Sequence, residues 1–171
     1  MIKPLKQSTY ETCLTCCLLM LAGKSRKDEI EIWKHGWKFN YLIGQINFVS
    51  SKYNKKVTAY IENKYYFNEL KNQGGKNVRL INSKINLKLI NKLLEEGSVG
   101  VYCDAYYPFA AHSGYVHAPH FIVCLSRDGD FMELADPWDG QIKKWPVKEI
   151  NKAIISLRNH LKYSPVLITI N

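Results

Sequence analysis

The sequence predicts an α+β fold, because two kinds of periodicity occupy different halves of the chain. Residues before about 97 carry mostly helix-spaced apolar positions, and residues after it carry short alternating runs separated by turn signals. A third observation is size: 171 residues, of which 46% are hydrophobic, suit one domain (1–171) with a real core. No repeat, low-complexity tract or linker divides it.

Taken in order, the run Cys13 to Leu21 is apolar on every side and closes at Gly23, a helix stop, so it reads as a short buried helix. Ser8 and Glu11 have capping-box spacing, and Thr9 or Thr12 are equal candidates for the N-cap. Each choice puts Cys13 in or near the first turn. Helices follow over 28–39 and 41–53, then a strand over 56–61. Two more helices, 63–72 and 86–96, enclose a strand at 78–81. The second half gives strands at 99–103, 120–125, 131–134, 141–145 and 166–170, with a helix over 148–161. Between 104 and 119 runs a long connection without predicted regular structure. Its Tyr106, Tyr107, Tyr115 and His117 are candidate substrate contacts, since loops of this length are commonly functional.

Composition excludes several functions. The formal charge of +9 comes from 24 basic against 15 acidic residues, but these are scattered and mostly Lys, with Arg only at Arg26, Arg79, Arg127 and Arg158. Nucleic-acid recognition favours clustered charge and Arg forks, so no nucleic-acid partner is expected. No apolar run is long enough to span a bilayer and no signal peptide is seen, which reads as a soluble, cytoplasmic protein. Five cysteines, three crowded at Cys13, Cys16 and Cys17, do not form a disulfide framework. Cys13 and Cys16 with His112, His117 and His120 could ligate zinc, but no second Cys pair supports it, and neither metal nor cofactor is expected.

The chemistry is carried by a cysteine at a helix start, where unpaired N–H groups and the helix dipole lower a thiol pKa. That favours Cys13 over the more deeply placed Cys16 and Cys17. A base must accept its proton and a third group must fix the base's tautomer. His120 opens an apolar strand, and Asp136 follows the next one at the turn Asp136-Pro137-Trp138-Asp139-Gly140. Antiparallel pairing of those strands puts the two side by side. Gln7 lies six residues before Cys13, where its amide could complete an oxyanion hole with the Cys13 backbone N–H.

The layout of Gln7, Cys13, His120-Phe121-Ile122-Val123 and Asp136-Pro137, with six residues from Gln to Cys and sixteen from His to Asp, resembles one family. These are the papain-like peptidases that remove double-glycine leader peptides from bacteriocin precursors. The likeness spans nearly the whole chain. It implies a papain-like fold, an N-terminal helical lobe packed on a C-terminal antiparallel β-sheet with the nucleophile between them. The chain differs from members at Thr12 and Leu14, where they carry an acidic residue and a Gly. The expected activity is a thiol-dependent peptidase acting on a peptide or protein substrate, with small residues such as Gly at the cleavage site. An acyltransferase, an inactive papain-like binding module and, further off, a zinc module are the alternatives.

Overall fold

The computed structural model describes residues 2–109 and 116–171. The first half contains α1 (Cys13–Leu21), α2 (Glu29–Lys38), α3 (Tyr41–Tyr53), β1 (Val57–Ile61), α4 (Lys64–Leu70), β2 (Val78–Asn82) and α5 (Leu87–Leu94). After it come β3 (Val99–Asp104), α6 (Tyr106–Phe109), β4 (Pro119–Asp128), β5 (Phe131–Asp136), β6 (Gln141–Pro146), α7 (Val147–Asn159) and β7 (Val166–Ile170). The fold is α+β, and element bounds differ from the sequence reading mostly by one or two residues.

All seven strands join one sheet, in the order β2-β1-β7-β3-β4-β5-β6. Every neighbouring pair is antiparallel except β1 and β2, which are parallel. The expected antiparallel sheet is therefore larger than the second half of the chain. The helical half adds β1 and β2 to it through β7, the last strand in sequence.

Helices cover both faces. On one, Leu14 and Leu18 of α1 and Ile43 and Ile46 of α3 meet Ala59, Phe121, Val123 and Ala135. On the other, Ile90 of α5 and Ile150 and Ile154 of α7 meet Val101, Cys103, Ile122 and Leu134. Successive residues of β4 thus serve different cores, as a period of two requires. In α1 the residues Leu14, Cys16, Cys17, Leu18 and Leu19 are fully enclosed. Burying a Leu side chain is worth about 1.5–3 kcal/mol, so α1 is held by packing more than by its caps. It stops where expected: Gly23 takes φ of +66°, and the N–H groups of Gly23 and Lys24 return to Met20 and Leu19.

The start of α1 differs from the expectation. Thr12 stands at the N-cap, yet its hydroxyl donates to Thr9 O (3.1 Å) and caps no helix N–H. The capping box does not form, since the Ser8 N–H is taken by Glu29 of α2 (2.8 Å).

Between β4 and β5 the pairing slips by one residue at Leu125, so Cys124 faces Leu134 and Ser126 faces Glu133. This bulge sets which residues share a face further along. Val123 opposes Ala135, and Asp136 therefore falls on the face of Ile122 and His120. Without the slip, pairing continued from Ser126 and Glu133 would set Asp136 opposite Val123, on the other face.

Candidate active site

Cys13 is the first residue of α1 and is half-buried. The turn before it is fixed from two sides: Thr9 and Thr12 bond to each other, and the Tyr41 hydroxyl of α3 donates to Glu11 O. The imidazole of His120 and the backbone N–H groups of Phe121 and Leu14 act on the thiol to favour its ionised form.

His120 is buried, and its Nε2 lies 3.0 Å from Asp136 Oδ1. With Nε2 committed there, Nδ1 is the ring nitrogen left for the thiol. Asp136 is fully buried. Its Oδ1 also accepts the Trp138 N–H (2.9 Å), and its Oδ2 accepts from Lys143 Nζ (3.0 Å). The Trp138 ring stands edge-on to the imidazole, with centroids 6.5 Å apart.

Gln7 reaches this corner because the N-terminal segment lies against the turn after β5. Its N–H donates to Pro137 O (2.7 Å). Gly140, at φ +72°, allows the approach: a Cβ there would sit 2.9 Å from Lys6 backbone N. The Gln7 Nε2 donates to Thr9 O (2.8 Å), and its Oε1 is buried without a partner among the described residues.

These surroundings separate the five thiols, all of them free. Burial pushes the Cys13 thiol up, but the hydrogen bond and charge of His120, joined by the Phe121 and Leu14 N–H groups, bring it below the usual thiol value. Burial raises Cys16, Cys17 and Cys103, and takes Cys124 to about 12. For His120 burial pulls downward, yet the hydrogen bonds and charges of Asp136 and Cys13 raise it to about 9. Asp136 is pushed up by burial and brought below the usual carboxylate range by His120, the Trp138 N–H and Lys143. Each partner favours the other's charged form, a thiolate beside an imidazolium.

A groove of about 950 Å³ opens at Cys13. Its walls are aromatic, including Tyr10, Trp37, Tyr41, Tyr65, Tyr66, Tyr102, Phe121 and Tyr163, with Glu11, Glu69 and Lys162 as its charged members. Tyr10, Trp37 and Tyr65 are largely exposed. Sequence reasoning missed these residues: they come from six separate segments, and only the exposure of large rings in polar stretches hinted at them.

The loop residues lie elsewhere. Tyr107 and His117 line a separate pocket of about 330 Å³ against α7, with Ser156 and His160. Tyr106 stacks on His117 (4.2 Å). The reason is Asp104, fully buried at the end of β3, which binds the Tyr106 and Ala118 N–H groups, His117 Nδ1 and Ser156 Oγ and so ties the loop to α7. Tyr115 and His112 lie outside the described residues. Among the described residues no three His, Cys, Asp or Glu side chains gather as a metal site, and no helix is long and apolar enough to cross a membrane.

No protein-family model matches the chain, and no curated protein matches it. Among solved structures it is similar to a protein described as a C39-like peptidase from Bacillus anthracis. The two are 11% identical over 98% of this chain and 94% of that one, with a TM-score of 0.59. A double-glycine-motif protease from an AMS/PCAT transporter, solved with its leader peptide, aligns at 12% identity over 99% and 91%, with a TM-score of 0.46. The chain has the papain-like fold of the C39-like peptidase.

Proposed function

We propose that the chain is a cysteine peptidase, or a related acyl-transfer enzyme, that uses Cys13 as nucleophile, His120 as base and acid, and Asp136 to orient the imidazole. The carrying observation is the imidazole held at Nε2 by Asp136, which leaves Nδ1 for a thiol whose ionisation that imidazole favours. Thiolate attack on a peptide or isopeptide carbonyl forms a tetrahedral adduct, and collapse expels the amine as His120 protonates it. Water, or an amine or thiol acceptor, then releases the acyl group. The oxyanion donors are the Cys13 backbone N–H, one of the N–H groups that a helix start leaves outside the helix ladder, and the second N–H of the Gln7 amide, the first being given to Thr9 O. The aromatic groove, which Cys13 lines, supports a peptide segment with apolar side chains as the occupant, with small residues such as Gly at the cleaved bond.

The test is covalent labelling by a promiscuous thiol-directed acylating probe, read by intact mass. One adduct per chain is expected on the unaltered protein and none on Cys13→Ala with an unchanged circular dichroism spectrum. Equal labelling of Cys13→Ala would remove Cys13 from the role, and an unlabelled parent protein would turn the reading to an inactive binding module.

A further inference from the structure

We propose that Lys143 is a positioning residue of this site: it fixes the free oxygen of Asp136 and, through its charge, sets the pH window in which Cys13 and His120 are both ionised. The proposal rests on the assignment of Cys13 and His120 as nucleophile and base.

The sheet register brings it there. On β6, Lys143 opposes Leu134 while Gln141 opposes Asp136, so Lys143 and Asp136 are diagonal neighbours on one face. Through the bulge at Leu125, Asp136 stands in the same relation to His120 on β4. Three charged side chains thus form a row across three adjacent strands. β6 is an edge strand, where lysine is ordinarily an exposed guard against pairing. Lys144 fits that pattern with its side chain 66% exposed, but Lys143 is only 14% exposed. Burying an ammonium is costly unless it is paired, and Lys143 has two carboxylates, Asp136 at 3.0 Å and Asp139 at 2.6 Å. Asp139 is itself held by the Gln141 N–H (3.0 Å).

The consequence for chemistry follows from charge. Asp136 is faced by His120 from β4, by Lys143 from β6, and electrostatically by Cys17 of α1 and Cys103 of β3, two thiols that burial keeps neutral. Among the described residues, Cys13, His120, Asp136, Asp139 and Lys143 are thus the side chains that this row brings together. A cation one side chain beyond the imidazole eases thiolate formation and tempers the hold of Asp136 on the imidazolium proton, which must be released to the leaving group. Removing it raises the pKa of Asp136, and with it those of His120 and Cys13.

The experiment measures the rate of Cys13 alkylation by iodoacetamide against pH, with Cys13→Ala as background, and so needs no substrate. The unaltered protein should show two inflections, one where the thiolate forms and one where the imidazolium loses its proton. Lys143→Met should move both upward by roughly half a pH unit or more, the scale expected of one nearby unit charge. Lys143→Arg should restore them. Asp139→Asn, which leaves the ammonium less compensated, should move both downward. A folded Lys143→Met with unshifted inflections would overturn the proposal. Should Lys143→Met not fold, Asp139→Asn decides, a downward shift supporting the proposal and no shift overturning it. A parent protein with a single inflection at the ordinary thiol value would overturn the ion-pair assignment itself, and the role of Lys143 with it.

Discussion

Among the described residues there are two histidine–aspartate pairs whose histidines are three residues apart, His120 with Asp136 and His117 with Asp104. Each includes a fully buried carboxylate and each has a potential nucleophile in contact, Cys13 in the first and Ser156 in the second. They differ in wiring. In the first the contacts run in series, thiol to imidazole to carboxylate. In the second, Ser156 Oγ (2.6 Å) and His117 Nδ1 (2.6 Å) both meet Asp104 Oδ2, so the serine proton is given to the acid and not to a base. Residue types alone do not make a nucleophile. The order in which they touch does, and by that criterion the second pair is a structural knot fastening the loop after β3 to α7.

The widest separation between the pairs is expected from Asp136→Asn and Asp104→Asn. The first should cut the rate of turnover or probe acylation by about 10³–10⁴-fold with little loss of fold, because an amide favours the wrong tautomer and leaves the imidazolium unsupported. The second should leave the acylation rate per folded molecule within about threefold. It should cost about 2–4 kcal/mol in urea denaturation, the range for breaking one side of a buried charged network. If Asp104→Asn cuts acylation as deeply as Asp136→Asn, the distinction in wiring is wrong.

Acid should also divide them. Both carboxylates lie below the usual range: each is pushed up by burial, but His117 and Ser156 outweigh this at Asp104, and His120 does so at Asp136. A depressed carboxylate contributes stability that is present above its unfolded pKa near 4 and is lost as pH falls through the folded value. His120, raised to about 9, contributes stability that is complete below its unfolded value and lost as pH climbs through 9. Urea midpoints should therefore fall below pH 4 and again above pH 9. In Asp104→Asn the acid slope should shrink while the alkaline one persists, and an unchanged acid slope would count against the network.

The smallest effect belongs to Ser156→Ala. It removes one hydrogen bond to a carboxylate that keeps three others, so about 1–2 kcal/mol of stability should go, with the rate of Cys13 acylation unchanged. A selective loss of acylation would make Ser156 part of the chemistry.

How much of this was legible in the sequence varied with the kind of signal. The helices and strands showed because their periodicity is local, and Cys13 showed because a thiol beside a helix start has a one-dimensional signature. Asp136 was legible as a residue at the end of a hairpin strand. Lys143 was not, since on an edge strand a lysine reads as a solvated guard, and only the register across three strands brings it to Asp136. Asp104 was equally hidden, a strand-end Asp being the usual sign of a turn. Tyr106, Tyr107 and His117 were singled out for their loop, but the buried carboxylate that draws them to α7 lies at the strand end before it. The groove required tertiary structure, as Tyr10, Trp37, Tyr65 and Tyr163 share no local pattern.

The slip at Leu125 makes the site depend on arithmetic. Because side chains alternate along a strand, the pairing of acid with base is an even-or-odd property of the hairpin, and one residue at the bulge decides it. Side chains along the solvent-facing stretch of β4 and β5 are free to vary without moving His120 relative to Asp136. A slip that let the full-length strands zip regularly, with Leu125 opposite Leu134, would keep every chemical group of the site in the chain and yet turn the carboxylate away from the imidazole. The hairpin therefore stores the site as a register, which makes it tolerant of substitution and intolerant of a one-residue slip.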